Sequence, residues 1–196
     1  VSDARLQAIV RAHPLLSAVL DRFAAVGLPD AWLVAGAVAQ GVWNAATGRA
    51  PTYGLKDIDI VYFDGADLSA ETEAMHEARL RALFADLAVK LDVKNEARVH
   101  LWYADAFGNG LEPYRSSEDA IGTFPTTATS IGIRPQGDAL GLCAPFGVDD
   151  LLAGVVRPNK RQVTQAVYEK KVARWRALWP ELTYIPWDQT QPPSTT

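Results

Sequence analysis

Residues 57–63, DIDIVYF, constrain the fold of this chain most. In an extended strand alternate side chains share a face, so Asp57, Asp59 and Val61 lie on one side and Ile58, Ile60 and Tyr62 on the other. A sheet built from this segment is apolar on one side. On the other it carries two acids about 7 Å apart, at roughly 3.3 Å of rise per residue. Like charges on one face cost free energy unless something positive lies between them. A divalent cation is the natural partner, because Mg²⁺ takes oxygen ligands and combines one or two carboxylates with substrate phosphates. Two such ions would stabilise the attacking and leaving oxygens of a phosphoryl-type displacement, with a third acid from a neighbouring strand. Asp92, in the strand-like KLDVK, is the best candidate, and Glu96 lies on the same nominal face. The plainer reading is that Asp57 and Asp59 cap the loop leaving Gly54 and that all three acids face water.

The rest of the chain alternates helix and strand signals. Residues 3–26 carry apolar side chains at helical spacing behind Ser2 as N-cap, and Pro14 divides them into two helices. Pro29-Asp30 turns the chain into the short strand AWLVAG, and AVAQGVWNAATG then reads as a helix closed at Gly48. A helix from Leu68 to Lys90, opened by Ser69, precedes strand material in LDVKNEARVHLWY, interrupted at Asn95. SSEDAIGTF reads as a short capped helix. TATSIGIRPQGDALGLCAPF reads as a hairpin turning at Pro135 to Asp138, and Val148–Val155 and Gln162–Trp179 as closing helices. The expected fold is therefore α/β (α+β), a mixed β-sheet flanked by helices with a C-terminal hairpin and closing helices. One domain over residues 1–188 is expected, with QTQPPSTT, residues 189–196, a disordered tail.

Charge and cysteine usage narrow the function classes. The 23 acids and 19 bases leave a net charge of −4 with no long basic run, so strong nonspecific nucleic-acid binding is not expected. The single Cys143 has no ligand-spaced partner and reads as a small buried thiol in a reducing compartment. No apolar run approaches a membrane span and VSDARLQAIV lacks the pattern of a signal peptide, so a cytoplasmic protein without a membrane partner is expected.

The strand ending at Gly36 runs straight into a helix, whose N-H groups and positive end suit an anion such as a triphosphate. Strand, Gly, helix, then DIDI on the next strand and a third acid on a later one resembles the DNA polymerase beta-type nucleotidyltransferase superfamily. Its pattern is hydrophobic-Gly-Gly/Ser followed by Asp-hydrophobic-Asp-hydrophobic. More narrowly, LVAGAVAQGVWNAATGRAPTYGLKDIDIVYFD with VKNEARVHLWY, PYRSSEDAI, TATSIGIR and APFGVDDLLAGVVRPN is similar to the small bacterial nucleotidyltransferase-like family, over residues 30 to about 180.

The resemblance implies that Asp57, Asp59 and Asp92 hold Mg²⁺ or Mn²⁺ and are the catalytic acids, with Gly36 admitting the triphosphate. The implied activity is transfer of an NMP group from an NTP to an unidentified acceptor. In this chain the Gly-Gly/Ser pair reads Gly36-Ala37, and Gln40 stands where relatives carry Arg. Those two departures motivate an alternative, a nucleotide-binding module of the same fold without catalysis. A DxD glycosyltransferase is a third reading.

Phosphate contacts are expected from Lys56, Lys94, Arg98 and Arg115, because cationic heads bind phosphate oxygens and guanidinium does so in bidentate fashion. Arg98 and Arg115 are preferred as lying within the family-like stretches. His100 reads as a satisfied structural imidazole, and Ser116 and Ser117 as helix caps.

Overall fold

The structure is a computed structural model describing residues 2–137 and 139–189. The Ser2 side chain, expected as an N-cap, the turn position Asp138 and the tail from residue 190 lie outside what is described.

Two helices, α1 (Ser2–Ala12) and α2 (Pro14–Asp21), meet at His13, whose ring accepts from Leu16 N–H. Pro14 therefore sits at the start of α2, where its missing N–H is harmless. After a 3-10 turn come β1 (Trp32–Val34) and α3 (Gly36–Thr47), which ends with Gly48 in the left-handed region at φ 69°. Next are β2 (Asp57–Tyr62), α4 (Ala70–Leu83) capped by Ser69, and β3 (Lys90–Asn95).

The interruption expected at Asn95 is where β3 ends, and the strand does not resume through residue 103. The buried Asn95 side chain accepts from Asp64 N–H and Ala97 N–H and donates to the carbonyls of Asp64 and Asp67. Satisfying those groups replaces the sheet ladder, so residues 96–101 wind into a 3-10 helix followed by α5 (Tyr103–Phe107).

The remaining elements are α6 (Ser117–Ile121) capped by Ser116, the hairpin β4 (Gly132–Gln136) and β5 (Ala139–Cys143), α7 (Asp149–Ala153), β6 (Val155–Val156), α8 (Gln165–Leu178) capped by Thr164, and β7 (Thr183–Tyr184). Gly154, at φ 68°, ends α7 two residues after Leu152, so Val155 and Val156 pair with β7 instead of extending the helix.

The five-stranded sheet has the order β3-β2-β1-β4-β5, with β2 and β3 parallel and the other pairs antiparallel. It is the mixed sheet flanked by helices that the sequence leads one to expect. Leu33, Ile58, Ile60, Tyr62, Leu91, Val93 and Ile133 form its apolar face, packed in one core with residues of α1 to α4, α7 and α8. Ile58 and Ile60 are fully buried, and each such side chain contributes about 1.5–3 kcal/mol relative to exposure. This burial fixes the register of β2, because a one-residue slip would turn both aspartates into the core.

The loop before β2 is also clamped. Asn44 on α3 donates to the carbonyls of Pro51 and Tyr53, both at 2.9 Å, and accepts from Trp179 Nε1 at 2.8 Å. Gly54, at φ 71°, passes so close to Trp179 that a Cβ would lie 2.6 Å from Cη2. No described helix is long and apolar enough to cross a membrane.

Candidate functional site

The opposite face of the sheet carries the acids. Parallel register sets Asp59 beside Asp92, Asp57 beside Lys90 and Val61 beside Lys94. Antiparallel register sets Val34 beside Asp59, so the end of β1 opens next to the carboxylates. Asp57, Asp59 and Asp92 are therefore brought to one face. Asp59 is half-buried, and its carboxyl is pushed up to about 7, first by burial and then by the charges of Asp57 and Asp92; Lys171 and Lys90 oppose this. Asp92 lies 3.3 Å from the Lys94 ammonium, which also reaches Glu77 at 3.5 Å. Burial works against that ammonium, but Asp92 holds its pKa above the ordinary lysine value.

The turn from β1 into α3 differs by one residue from the expected one. Ala35, at φ 55° and ψ −123°, occupies a backbone region that favours glycine, so Ala35-Gly36 makes the turn. Such a conformation costs on the order of 1–3 kcal/mol in a residue with a Cβ. It is held by the Ala35 N–H, which donates to the Ile131 carbonyl at 2.9 Å. No side chain caps α3. Gly36 is half-buried, and a Cβ there would sit 3.0 Å from Gln40 Nε2. Ala37 is 1% exposed, within the first turn of the helix, and can offer its backbone but no exposed side chain. Gln40 is buried with its Oε1 unpartnered among the described residues.

A cleft of about 860 Å³ opens over this face. Asp59 and Asp92 form its acidic floor next to Val34 and Ala35, with the Lys94 ammonium beside Asp92. One wall, from Glu96 through Phe107, is largely aromatic, with Tyr114 and Phe124 alongside. The other comes from α8 and presents Lys170, Lys171 and Arg174. Among the described residues none of these three cations is ion-paired with a carboxylate. Lys171 is exposed at the rim, yet protein crowding pulls its pKa down, while Asp59 and Asp57 favour its charge.

The expected phosphate ligands divide. Lys94 lines the cleft. Lys56 is exposed at the foot of β2. Arg98 is instead committed to the fold: it lies 2.7 Å from Glu73 and donates to the Leu68 carbonyl at 3.3 Å. Glu73 in turn accepts from Asn95 N–H, so this ion pair braces the end of β3. The Arg115 side chain is 88% exposed and lies 3.5 Å from Asp119. Neither Arg98 nor Arg115 lines the cleft.

The α8 cations were not singled out from the sequence, although YEKKVARWR carries the signal. Lys170 and Arg174 are one helical turn apart, away from the buried Tyr168, Val172 and Trp175. Glu96, expected on the face of Asp92, does line the cleft, whereas the aromatic wall has no signal in a stretch that reads as strand material and folds instead into a 3-10 turn and α5. His100 keeps Nδ1 without a hydrogen-bond partner among the described residues, against the expectation of a satisfied ring. Cys143 is half-buried, and burial pushes its thiol up to about 11, in keeping with an inert residue.

A family model described as nucleotidyltransferase matches residues 21–184. Among solved structures, one determined by NMR and described as revealing a CCA-adding enzyme head domain is 27% identical, with a TM-score of 0.78. That alignment covers 95% of this chain and 97% of the other. A Thermotoga maritima CCA-adding enzyme complexed with tRNA is 17% identical with a TM-score of 0.45, over 88% of this chain and 38% of that one. No curated protein matches the sequence.

Proposed function

The chain belongs to the nucleotidyltransferase family, and on that premise we propose that it transfers the NMP group of a nucleoside triphosphate to a hydroxyl or phosphate acceptor. The observation that carries this reading is the juxtaposition of Asp59 and Asp92 in register, across a cleft from Lys170, Lys171 and Arg174, which have no carboxylate partner among the described residues; Asp57 lies on the same sheet face just outside the cleft lining. In the transfer, an acceptor oxygen bonds to the α-phosphorus. The bond from that phosphorus to the oxygen bridging the β-phosphate breaks, and pyrophosphate leaves with the electron pair.

The α8 cations bind and orient the triphosphate, and the uncapped N-terminus of α3 behind Gly36 offers backbone N–H groups to it. Asp57, Asp59 and Asp92 are the proposed holders of Mg²⁺ or Mn²⁺, which when bound neutralises charge on the attacking and leaving oxygens. Among the described residues no group of three His, Cys, Asp or Glu side chains stands placed to hold a metal ion by itself, so the three acids would hold one only together with substrate phosphates, through one or two carboxylates at a time. An open acidic face suits an ion that keeps waters and shares substrate phosphates, and a cation relieves the repulsion that, after burial, raises the Asp59 pKa. Asp92 is the proposed acceptor of the nucleophile's proton.

The test pairs binding with chemistry. NTP with Mg²⁺ at about a hundred times its dissociation constant should stabilise the protein by about 2.7 kcal/mol. Label from α-³²P-NTP should appear in an acceptor supplied by cell extract. Absence of any stabilisation would overturn the reading, whereas stabilisation without transfer to any acceptor would favour the binding module that Ala37 and Gln40 suggest.

A further inference from the structure

The acidic floor and the α8 cations account for only part of the cleft. Its other end is apolar and aromatic, which phosphate does not need. Tyr103 and Phe107 have ring centroids 4.6 Å apart, with Trp102 at 6.3 and 6.5 Å from them. Tyr114 is fixed by a 2.6 Å hydrogen bond to Thr123. Phe107 remains 43% exposed although it belongs to this group of rings.

Glu96, only 6% exposed, lines the same cleft. Among the described residues its carboxyl has neither a hydrogen bond nor an ion pair, while the neighbouring acids Glu73 and Asp59 repel its charge. A carboxyl that opens only onto the cleft and meets no protein partner there is left free to take one from a ligand.

We propose that the aromatic end of the cleft is a seat for a nucleobase, stacked against the rings of Trp102, Tyr103 and Phe107 and hydrogen-bonded along its edge by Glu96. Aromatic faces accept any base, and a carboxyl in the same cleft reads the polar edge. Burial, followed by Glu73 and Asp59, pushes the Glu96 carboxyl up to about 8. Near neutrality it presents an O–H donor beside a carbonyl acceptor, the complement of the donor-acceptor edge of a base. The base belongs either to the NTP itself or to an acceptor of nucleoside type. The inference rests on the transferase reading for the delivery of that base.

Calorimetry on the full chain with Mg²⁺ distinguishes the cases, using inorganic tripolyphosphate, the four α,β-methylene NTPs, and free nucleosides added to protein saturated with an analogue. Glu96→Met and Trp102→Ala should each weaken base-containing ligands by about tenfold and leave tripolyphosphate affinity unchanged. The loss falls on the analogues if the seat takes the NTP's base and on the nucleosides if it takes the acceptor's. Glu96→Gln, which keeps a donor beside an acceptor, should retain the affinity. Phe107→Ala carries the same expectation should Trp102→Ala not fold. Unchanged affinity for both classes of ligand in these variants would overturn the seat, while tripolyphosphate binding would leave the phosphate reading standing. Failure of tripolyphosphate to bind, with Glu96-dependent nucleoside binding intact, would remove the phosphate reading and keep the seat.

Discussion

Asp59 and Asp92 stand side by side in parallel register on neighbouring strands, and burial, followed by the charges of Asp57 and Asp92, holds Asp59 in its neutral form to a higher pH. Two carboxylates on one sheet face, with Asp57 beside them, store repulsion that a cation releases. At pH 8, above the raised value of Asp59, the metal-free protein bears that cost in full.

Asp59→Asn should therefore raise the melting temperature of the metal-free protein at pH 8 by a few degrees, while nucleotidyl transfer falls by about a hundredfold or more. Differential scanning calorimetry read beside a pyrophosphate-release assay checks both halves. A variant less stable than the wild type at that pH would contradict the repulsion argument.

Lys170 and Arg174 have no ion-pair partner among the described residues, so their removal should leave the fold nearly untouched. Lys170→Ala and Arg174→Ala should each weaken NTP binding by about tenfold, with a shallower dependence on salt, because charge-assisted contacts to phosphate are lost. Titration calorimetry at two ionic strengths measures the effect.

The sheet was legible because DIDIVYF has a period of two and its apolar half is fully buried, and the same alternation put Asp57 and Asp59 on one face. Ser69, Ser116, Gly48 and Pro14 marked helix ends through chemistry local to each turn. Long-range partners were not legible. The interruption at Asn95 is legible, but not that its side chain makes it by bonding to Asp64 and Asp67, nor that Glu73 takes Arg98 away from the cleft. Both are decided by tertiary contacts that no window of sequence contains. The phosphate turn was placed one residue late because glycine marks a tight turn, while the strained residue here is an alanine.

Ala35→Gly should stabilise the protein by about 1 kcal/mol, since relief of the strained φ of 55° outweighs the added freedom of the unfolded chain. Urea unfolding of the two proteins checks it, and an unchanged or lowered midpoint would mean that the turn is not strained.

Gly54 is constrained twice, by its φ of 71° and by the ring of Trp179 2.6 Å from the position of a Cβ. Gly54→Ala should cost roughly 2–4 kcal/mol and, by loosening the clamp that delivers Asp57, lower transfer activity even where the protein remains folded. Chemical denaturation and activity at low temperature separate the two effects.

Glu96 gives the fold a pH dependence of predictable sign. Its carboxyl titrates near 4.5 in the unfolded chain and at about 8 in the native one, mainly through burial. Between those values the native state binds more protons, so stability falls as pH rises from about 4.5 through 8. Glu96→Gln removes this titration. It should be more stable than the wild type by about 1 kcal/mol or more at pH 9, with the difference narrowing as pH approaches 5. Urea midpoints measured across that range read the difference directly. A gap that stayed constant with pH would mean that Glu96 ionises equally readily in both states, and that its carboxyl is not held neutral in the cleft.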